Sequence, residues 1–234
     1  MKINTKMAIG FLKKVCMNRD AAVKECILQF KDEGLEILTT VAANVVMVDA
    51  FLKRSCFEDY EALGSIGIDD LSFMVKCLER FQDEFVVMKK KENLLVISDS
   101  KKKVEFLLVE VEFLEKPPQY PKNMVHETTI DLNYESIKDF LTDATTIGAL
   151  KISFNKSKNG KLLLKALGMK HTMETEIDVP LSVDGLKVEF TELFVDVVQN
   201  LSGILKVGLK DNYPILLSSD FEGGYVRILM APNA

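Results

Sequence analysis

Residues 211–234 read DNYPILLSSDFEGGYVRILMAPNA. Two apolar runs, Ile215–Leu217 and Tyr225–Met230, flank Asp220, Glu222 and the Gly223–Gly224 pair, so the segment reads as two strands around a glycine turn. Pro232 ends the second strand, because a ring nitrogen has no hydrogen to donate to a ladder.

The 234 residues are 47% hydrophobic, enough for one large core or two cores of about 115 residues each. A net charge of −5 and a pI near 5.3 argue against a free-standing basic nucleic-acid binder, but they allow lysines to be gathered on one face. No apolar run approaches the roughly 18–20 residues that cross a bilayer, and MKINTKMAIGF shows no apolar block followed by a cleavage site. No membrane association is expected; the expected location is the cytoplasm or nucleus. Cys16, Cys26, Cys56 and Cys77 stand at spacings of 10, 30 and 21, which fit neither a zinc site nor a disulfide framework, so reduced core thiols are expected. His126 and His171 lie 45 residues apart in strand-like text with no nucleophile, metal or phosphate-loop motif. The chain is expected not to be an enzyme and to bind no cofactor.

From the N-terminus, residues 5–19 place Met7, Ala8, Phe11, Leu12 and Val15 on one helical face and Lys6, Lys13 and Lys14 on the other, with Thr5 as the expected cap. Residues 22–53 then change period into three antiparallel strands, broken at Asp32-Glu33-Gly34 and near Asn44, and 55–66 add a strand or turn. Asp69 and Asp70 open a second helix that buries Leu71, Met74, Val75 and Leu78 and leaves Lys76, Glu79 and Arg80 outward. The runs EFVVMK, NLLVIS and VEFLLVEVEF follow as strands, with the triplets Lys89–Lys91 and Lys101–Lys103 expected at the turns between them.

LEKPPQYPKN, residues 114–123, carries three prolines and no periodicity, which suits a semi-rigid connector. Beyond it the same grammar restarts: a strand at 126–132, a helix NYESIKDFLTDATTI, strands ALKISFN, KLLLKAL, METEIDVPLSV and LKVEF, a helix FTELFVDVVQNL, the strand ILKVGL and the closing hairpin. The order of helix, strands, helix, strands occurs twice at an offset of about 120–130 residues, a duplication of pattern without identity.

This order, with FLKKV, TTVAANVVMVDAFL, MVKCL, LSGILKVGLKDNYPILL and the closing Met230-Ala231-Pro232, resembles the DNA sliding clamps of the eukaryotic and archaeal type, the proliferating-cell-nuclear-antigen family. The resemblance implies an α+β fold of two similar clamp domains, 1–113 and 127–234, joined by a connector at 114–126, each domain having two helices packed on antiparallel sheets. It implies a trimeric ring around double-stranded DNA, closed with other clamp subunits as a homo- or heterotrimer. It also implies that DNA polymerase, clamp loader, flap nuclease or ligase are held through short peptide motifs.

On that basis Lys6, Lys13, Lys14, Arg19, Lys76, Arg80 and Lys138 are expected to face DNA through non-specific, salt-dependent contacts. The partner-peptide pocket is expected at Thr40, Asn44, Val45, Leu114, Pro117, Tyr120, Pro214, Leu229, Met230, Ala231 and Pro232. The edge 104–113, with Leu107, Val109, Val111 and Phe113 on one face, is expected to pair with 171–179 of the next subunit through Met173, Thr175 and Ile177. The same pattern allows an ordinary internal strand.

The departures from the family are Asp139, Thr142 and Thr146 on the third helix and exposed Glu192, Asp196 and Gln199 on the fourth, where relatives carry more basic charge, and Val41 and Asn44 in the first loop. They raise the alternative of a clamp-like subunit of a mixed ring that acts as a scaffold or checkpoint-type clamp.

Overall fold

The computed structural model describes residues 1–41, 44–121 and 124–233. Ala42 and Ala43 of the expected first loop, Lys122 and Asn123 of the expected connector, and the terminal Ala234 lie outside the described residues.

Asn4 begins the first helix: its Oδ1 accepts from the Met7 N–H at 3.1 Å and satisfies a donor that the helix itself leaves without a partner. The expected cap, Thr5, has another task, donating its hydroxyl to the Asp83 carbonyl at 2.8 Å. Before α1 (Thr5–Cys16) lies a short strand, β1 (Lys2–Asn4), too brief for any periodicity to announce. There follow β2 (Cys26–Lys31), β3 (Gly34–Val41), β4 (Val46–Lys53), β5 (Phe57–Glu58), β6 (Gly64–Ile68), α2 (Leu71–Leu78), β7 (Phe85–Lys91), β8 (Leu94–Ser98) and β9 (Lys103–Leu107). Asp70 caps α2 by accepting from the Phe73 N–H at 2.7 Å, and the helix buries the expected Leu71, Met74, Val75 and Leu78.

Residues 114–121 and 124–127 form no helix or strand. The second half runs β10 (Thr128–Asn133), α3 (Tyr134–Thr146), β11 (Ala149–Lys156), β12 (Lys161–Gly168), β13 (Thr172–Pro180), β14 (Lys187–Thr191), α4 (Leu193–Val198), β15 (Ile204–Leu209), β16 (Ile215–Phe221) and β17 (Gly224–Met230). Asn133 caps α3 as Asn4 caps α1. The fold is therefore α+β, with antiparallel sheets and few helices.

Among the described residues the strands form three sheets, in the orders β5-β1-β7-β8-β9, β10-β15-β16-β17-β4-β3-β2-β6 and β13-β12-β11-β14. The duplication is visible in them. The series β10-β15-β16-β17 repeats β1-β7-β8-β9, and β13-β12-β11-β14 repeats β4-β3-β2-β6. The central sheet holds one series from each half, sealed where β17 pairs with β4 from Gly224↔Leu52 to Met230↔Val46. One continuous apolar core runs through both halves, including Val15, Ile37, Val48, Phe154, Phe190 and Ile228.

Three expectations need correction. The run 104–113 is not one strand: β9 ends at Leu107, Val109 leaves it to form a bridge with Gly67, and Val111–Phe113 make a single helical turn. Lys89–Lys91 are not a turn but the last residues of β7, paired with Leu94–Val96. The fourth helix spans only Leu193–Val198, because Phe190 and Thr191 belong to β14. Its Asp196, expected to be exposed, is only 6% exposed.

Candidate functional site

Three regions of the surface concern the expected contacts: the helix face, the outer face of the central sheet, and two of the sheet edges.

On the helix face α1 packs beside α2, and α4 lies against the short turn Arg19–Ala21 that follows α1. Lys13 Nζ reaches Glu79 Oε1 at 2.5 Å, so its charge is matched across the two helices. Lys14 is half-buried, with Nζ 5.0 Å from the centre of the Phe221 ring and donating to Ser219 Oγ at 3.4 Å. That burial lowers its pKa, because a dry environment disfavours the ammonium. Arg19 Nε stands 4.0 Å from the carboxylate of Asp196, which places the acidic charge of α4 against a cation from the first half. Lys138 pairs with Glu135 at 3.4 Å. Lys6, Lys76 and Arg80 are exposed and make no ion pair among the described residues.

Most of the expected basic residues thus lie on α1, α2 and the segments that follow them, while Lys138 stands apart on α3 among exposed Glu135, Asp139 and Asp143. The two helix pairs are locked by residues that sequence reading did not select. Asn200 Nδ2 donates to the Lys13 carbonyl at 3.0 Å and the Met17 carbonyl at 3.2 Å, satisfying acceptors at the end of α1. Asn18 Nδ2 donates to Gln199 Oε1 at 3.1 Å.

The outer face of the central sheet carries Tyr225, Arg227 and Leu229 of β17 and Asp49 and Phe51 of β4, which alternate with core residues Val226, Ile228, Val48 and Ala50. Register brings Leu216, Leu229, Met47 and Thr40 into one row across four strands. Val45 is joined to the same end of the sheet, its carbonyl accepting from the Ala231 N–H at 2.9 Å. Thr40, Val41, Asn44, Leu114 and Glu115 line a cleft of about 320 Å³. Tyr120 lies near the Asp49–Arg227 pair: burial and then the Asp49 carboxylate push its phenol pKa up. The connector is anchored at its far end by His126, whose Nε2 donates to the Pro214 carbonyl at 3.0 Å while its ring lies edge-on to Tyr213.

The expected pocket residues therefore fall along one outer strip, with two differences. Met230 points into the core at 0% exposure, and Leu114 is buried beside Gly67, where an added Cβ would meet its side chain. Pro117 and Pro232 are half-buried. Met47 and Leu216 share the row but were not selected, because only the pairings of β17 with β4 and with β16 bring them there.

The edges expected to meet another subunit are β9 and β13, each a terminal strand of its sheet, with β5 and β14 at the opposite ends. Leu107 is 64% exposed, whereas Val109 and Val111 lie beyond β9 and are half-buried. Met173 and Thr175 are half-buried and Ile177 buried, along the face of β13 that turns to the core.

No family model matches the chain. It is 24% identical to DNA polymerase sliding clamp 2 of Sulfolobus acidocaldarius over 261 aligned positions, covering 100% of both chains. It is 30% identical to DNA polymerase sliding clamp 1 of Thermococcus kodakarensis over 173 positions, 70% of this chain and 66% of that one. The fold matches that of A. fulgidus PCNA, solved with the C-terminal region of FEN-1 bound, at a TM-score of 0.78 and 17% identity over 100% of this chain and 97% of that one. With the duplicated α+β architecture above, these relations establish that the chain belongs to the DNA sliding clamps of the eukaryotic and archaeal, proliferating-cell-nuclear-antigen type.

Proposed function

We propose that the chain is one subunit of a trimeric ring that encircles duplex DNA and acts as a processivity factor, tethering replication and repair proteins. The observation that carries this reading is the repeated strand order. Within the chain the series ending in β17 meets the series beginning with β4, whereas the same two kinds of edge, β9 and β13, stay open at its ends. A unit that ends in the two halves of a contact it already makes once internally is built to continue head to tail, and such a contact closes into a ring when its rotation allows. The division into a first domain 1–113, a connector 114–126 and a second domain 127–234 belongs to this reading.

DNA would lie against the helix face, where exposed Lys6, Lys76 and Arg80 supply mobile charge. Cationic contacts of this kind carry no sequence information and permit sliding. Client peptides, including the tail of a flap nuclease as in the A. fulgidus relative, would dock on the strip under the connector. The work is topological rather than catalytic.

The test compares retention on closed circular duplex with retention on the same DNA after linearisation, at moderate salt. A ring stays on the circle and leaves through free ends, so retention should collapse on cutting. Equal retention on both forms would overturn the reading.

A second reading, a scaffold or checkpoint-type clamp in a mixed ring, is favoured by one observation. The exposed acids Glu135, Asp139 and Asp143 on α3 leave that helix poorly suited to phosphates. If the chain alone forms rings and stimulates a polymerase, this second reading fails.

A further inference from the structure

We propose that Glu79 stands in for a DNA phosphate beside the cleft between α1 and α2. Its carboxylate holds the Lys13 ammonium until a phosphodiester displaces it, so Lys13 adds little net attraction and the grip on DNA is left to a few unpaired cations. The inference rests on the ring reading and adds to it what sets the strength of that grip.

Lys13 lies in the last turn of α1, Glu79 is the residue that ends α2, and the two helices pack side by side. Lys13 Nζ stands 2.5 Å from Glu79 Oε1, with 45% and 40% of the two side chains exposed, so the pair forms at the surface, where another anion can reach it. Beside it a cleft of about 460 Å³ lies between the helices and the turn that carries Arg19. Among its described lining residues Lys13, Arg19 and Lys76 are cationic and Glu79 alone is acidic. Three cations around one carboxylate make an anion seat whose first anion comes from the chain itself.

The placement of Glu79 breaks a local rule. A helix leaves partial negative charge at its C-terminal end, which favours cations there and disfavours a carboxylate. Lys76 in the last turn of α2 obeys that rule, and so does Lys13 in the last turn of α1. Glu79 caps the same end of α2, its N–H donating to the Val75 carbonyl at 3.0 Å, and gains nothing from its own helix. A side chain in conflict with its local setting points to a role elsewhere, and the group it reaches is Lys13.

Other cations of this face are also held back. The Lys14 amine is turned toward Phe221 and Ser219, Arg19 faces the Asp196 carboxylate at 4.0 Å, and Lys138 pairs with Glu135 at 3.4 Å. Asp196 is only 6% exposed and is fixed in place by its surroundings, whereas Glu79 is exposed and free to yield. Lys6, Lys76 and Arg80 remain as exposed cations without an ion pair among the described residues.

The exchange at Lys13 is like for like. One ammonium–carboxylate pair is broken as one ammonium–phosphate pair forms, so the net gain is small. When the duplex moves on, the ammonium returns to Glu79 rather than to water. Lys13 is thereby handed between two anions, which keeps each sliding step shallow.

The test follows binding of a labelled short linear duplex by fluorescence anisotropy between about 50 and 200 mM salt, the range over which phosphate contacts weaken steeply. Each phosphate neutralised adds about 0.9 to the log–log slope, so freeing Lys13 should cost about 3.5-fold more affinity across that range for every subunit engaged. Glu79→Gln should therefore bind more tightly at low salt and show this steeper dependence. Glu79→Asp, which keeps the charge, should restore the wild-type slope. In a Lys13→Met background the exchange Glu79→Gln should bring no gain. Urea unfolding of each variant separates a binding effect from loss of fold. A gain that persists without Lys13 would overturn the proposal, because the acid would then act by plain repulsion of DNA. Unchanged affinity and slope in Glu79→Gln would overturn it too. Either result leaves the ring reading untouched, since that reading stands or falls on whether the wild type distinguishes circular from linear duplex.

Discussion

The junction of β17 with β4 and the pair of edges β9 and β13 hold the same place in two copies of one motif, and they differ in what their residues can tolerate. In the sealed junction Ile228 and Val48 are 0% exposed, and Gly224 lies so close to the opposite strand that an added Cβ would come 1.9 Å from the Phe51 carbonyl oxygen. At the open edge the residue matching Gly224 is Ser100, exposed in a turn, and Val104 is only half-buried. Charge also rises from one to the other: β9 carries Lys103 and Glu105 where β17 has Arg227 and Leu229. A contact inside a chain never has to dissociate and is built of fitted backbone and dry side chains. A contact between chains has to form in water, and exposed charges keep its edges from pairing at random until the right partner arrives.

The strongest way to break the comparison is at the glycine. Gly224→Val should cost about 3 kcal/mol or more, because the clash is with backbone that cannot turn aside, whereas Ser100→Val should leave urea unfolding of the monomer nearly unchanged. A Gly224→Val protein of wild-type stability would mean that the two strands do not approach as described.

Next in size is the core side of the same strand pair. Ile228→Ala should cost about 2–5 kcal/mol, as for a fully buried aliphatic side chain, and Val104→Ala under about 1 kcal/mol when measured on the monomer. The open-edge variant should instead show its effect in assembly, as a raised concentration for half-association.

The smallest effect sharpens the electrostatics. Burial raises the pKa of Asp49, opposed by the Arg227 charge and the Tyr225 hydroxyl. A carboxyl whose folded pKa lies above its unfolded one adds stability that is fully present below the unfolded value and lost as pH rises through the folded value. Asp49→Asn, which imitates the protonated form, should therefore be neutral near pH 3 and more stable than wild type by a few tenths of a kcal/mol at pH 7, the amount being small because the pair is partly solvated. Denaturation at the two pH values checks it; a loss of stability at pH 7 would show that the ion pair with Arg227 outweighs burial.

Much of this architecture was legible in the residues because its elements announce themselves by period. The stripes Leu71-Met74-Val75-Leu78 and Ile137-Phe140-Leu141-Ala144 are buried as their spacing demands. The glycine hairpin at 223–224 forms where the sequence places it. What failed did so where tertiary contacts override local pattern. VEFLLVEVEF reads as one long apolar strand, but its phase shifts across Phe106–Val109, and Gly67, which lacks a side chain, lets the Val109 backbone come across to it, so the strand stops at Leu107. Asp196 reads as a solvent-facing acid on a helix, but the turn carrying Arg19, from the other half of the chain, folds over it. The outer strip was half legible: Leu229 and Thr40 were named from their positions, while Met47 and Leu216 join them only through a register between strands that no local pattern encodes.

The central claim is that this chain is a ring-forming clamp subunit whose edges β9 and β13 close the ring. Light scattering across a concentration series addresses it most directly, without a label or a variant. The account predicts that the mass rises from 26.3 kDa toward about 79 kDa, three chains, and stops there, because a head-to-tail contact that has closed leaves no free edge. A mass fixed at 26.3 kDa at every concentration, or one that climbs past three chains without a plateau, would contradict it.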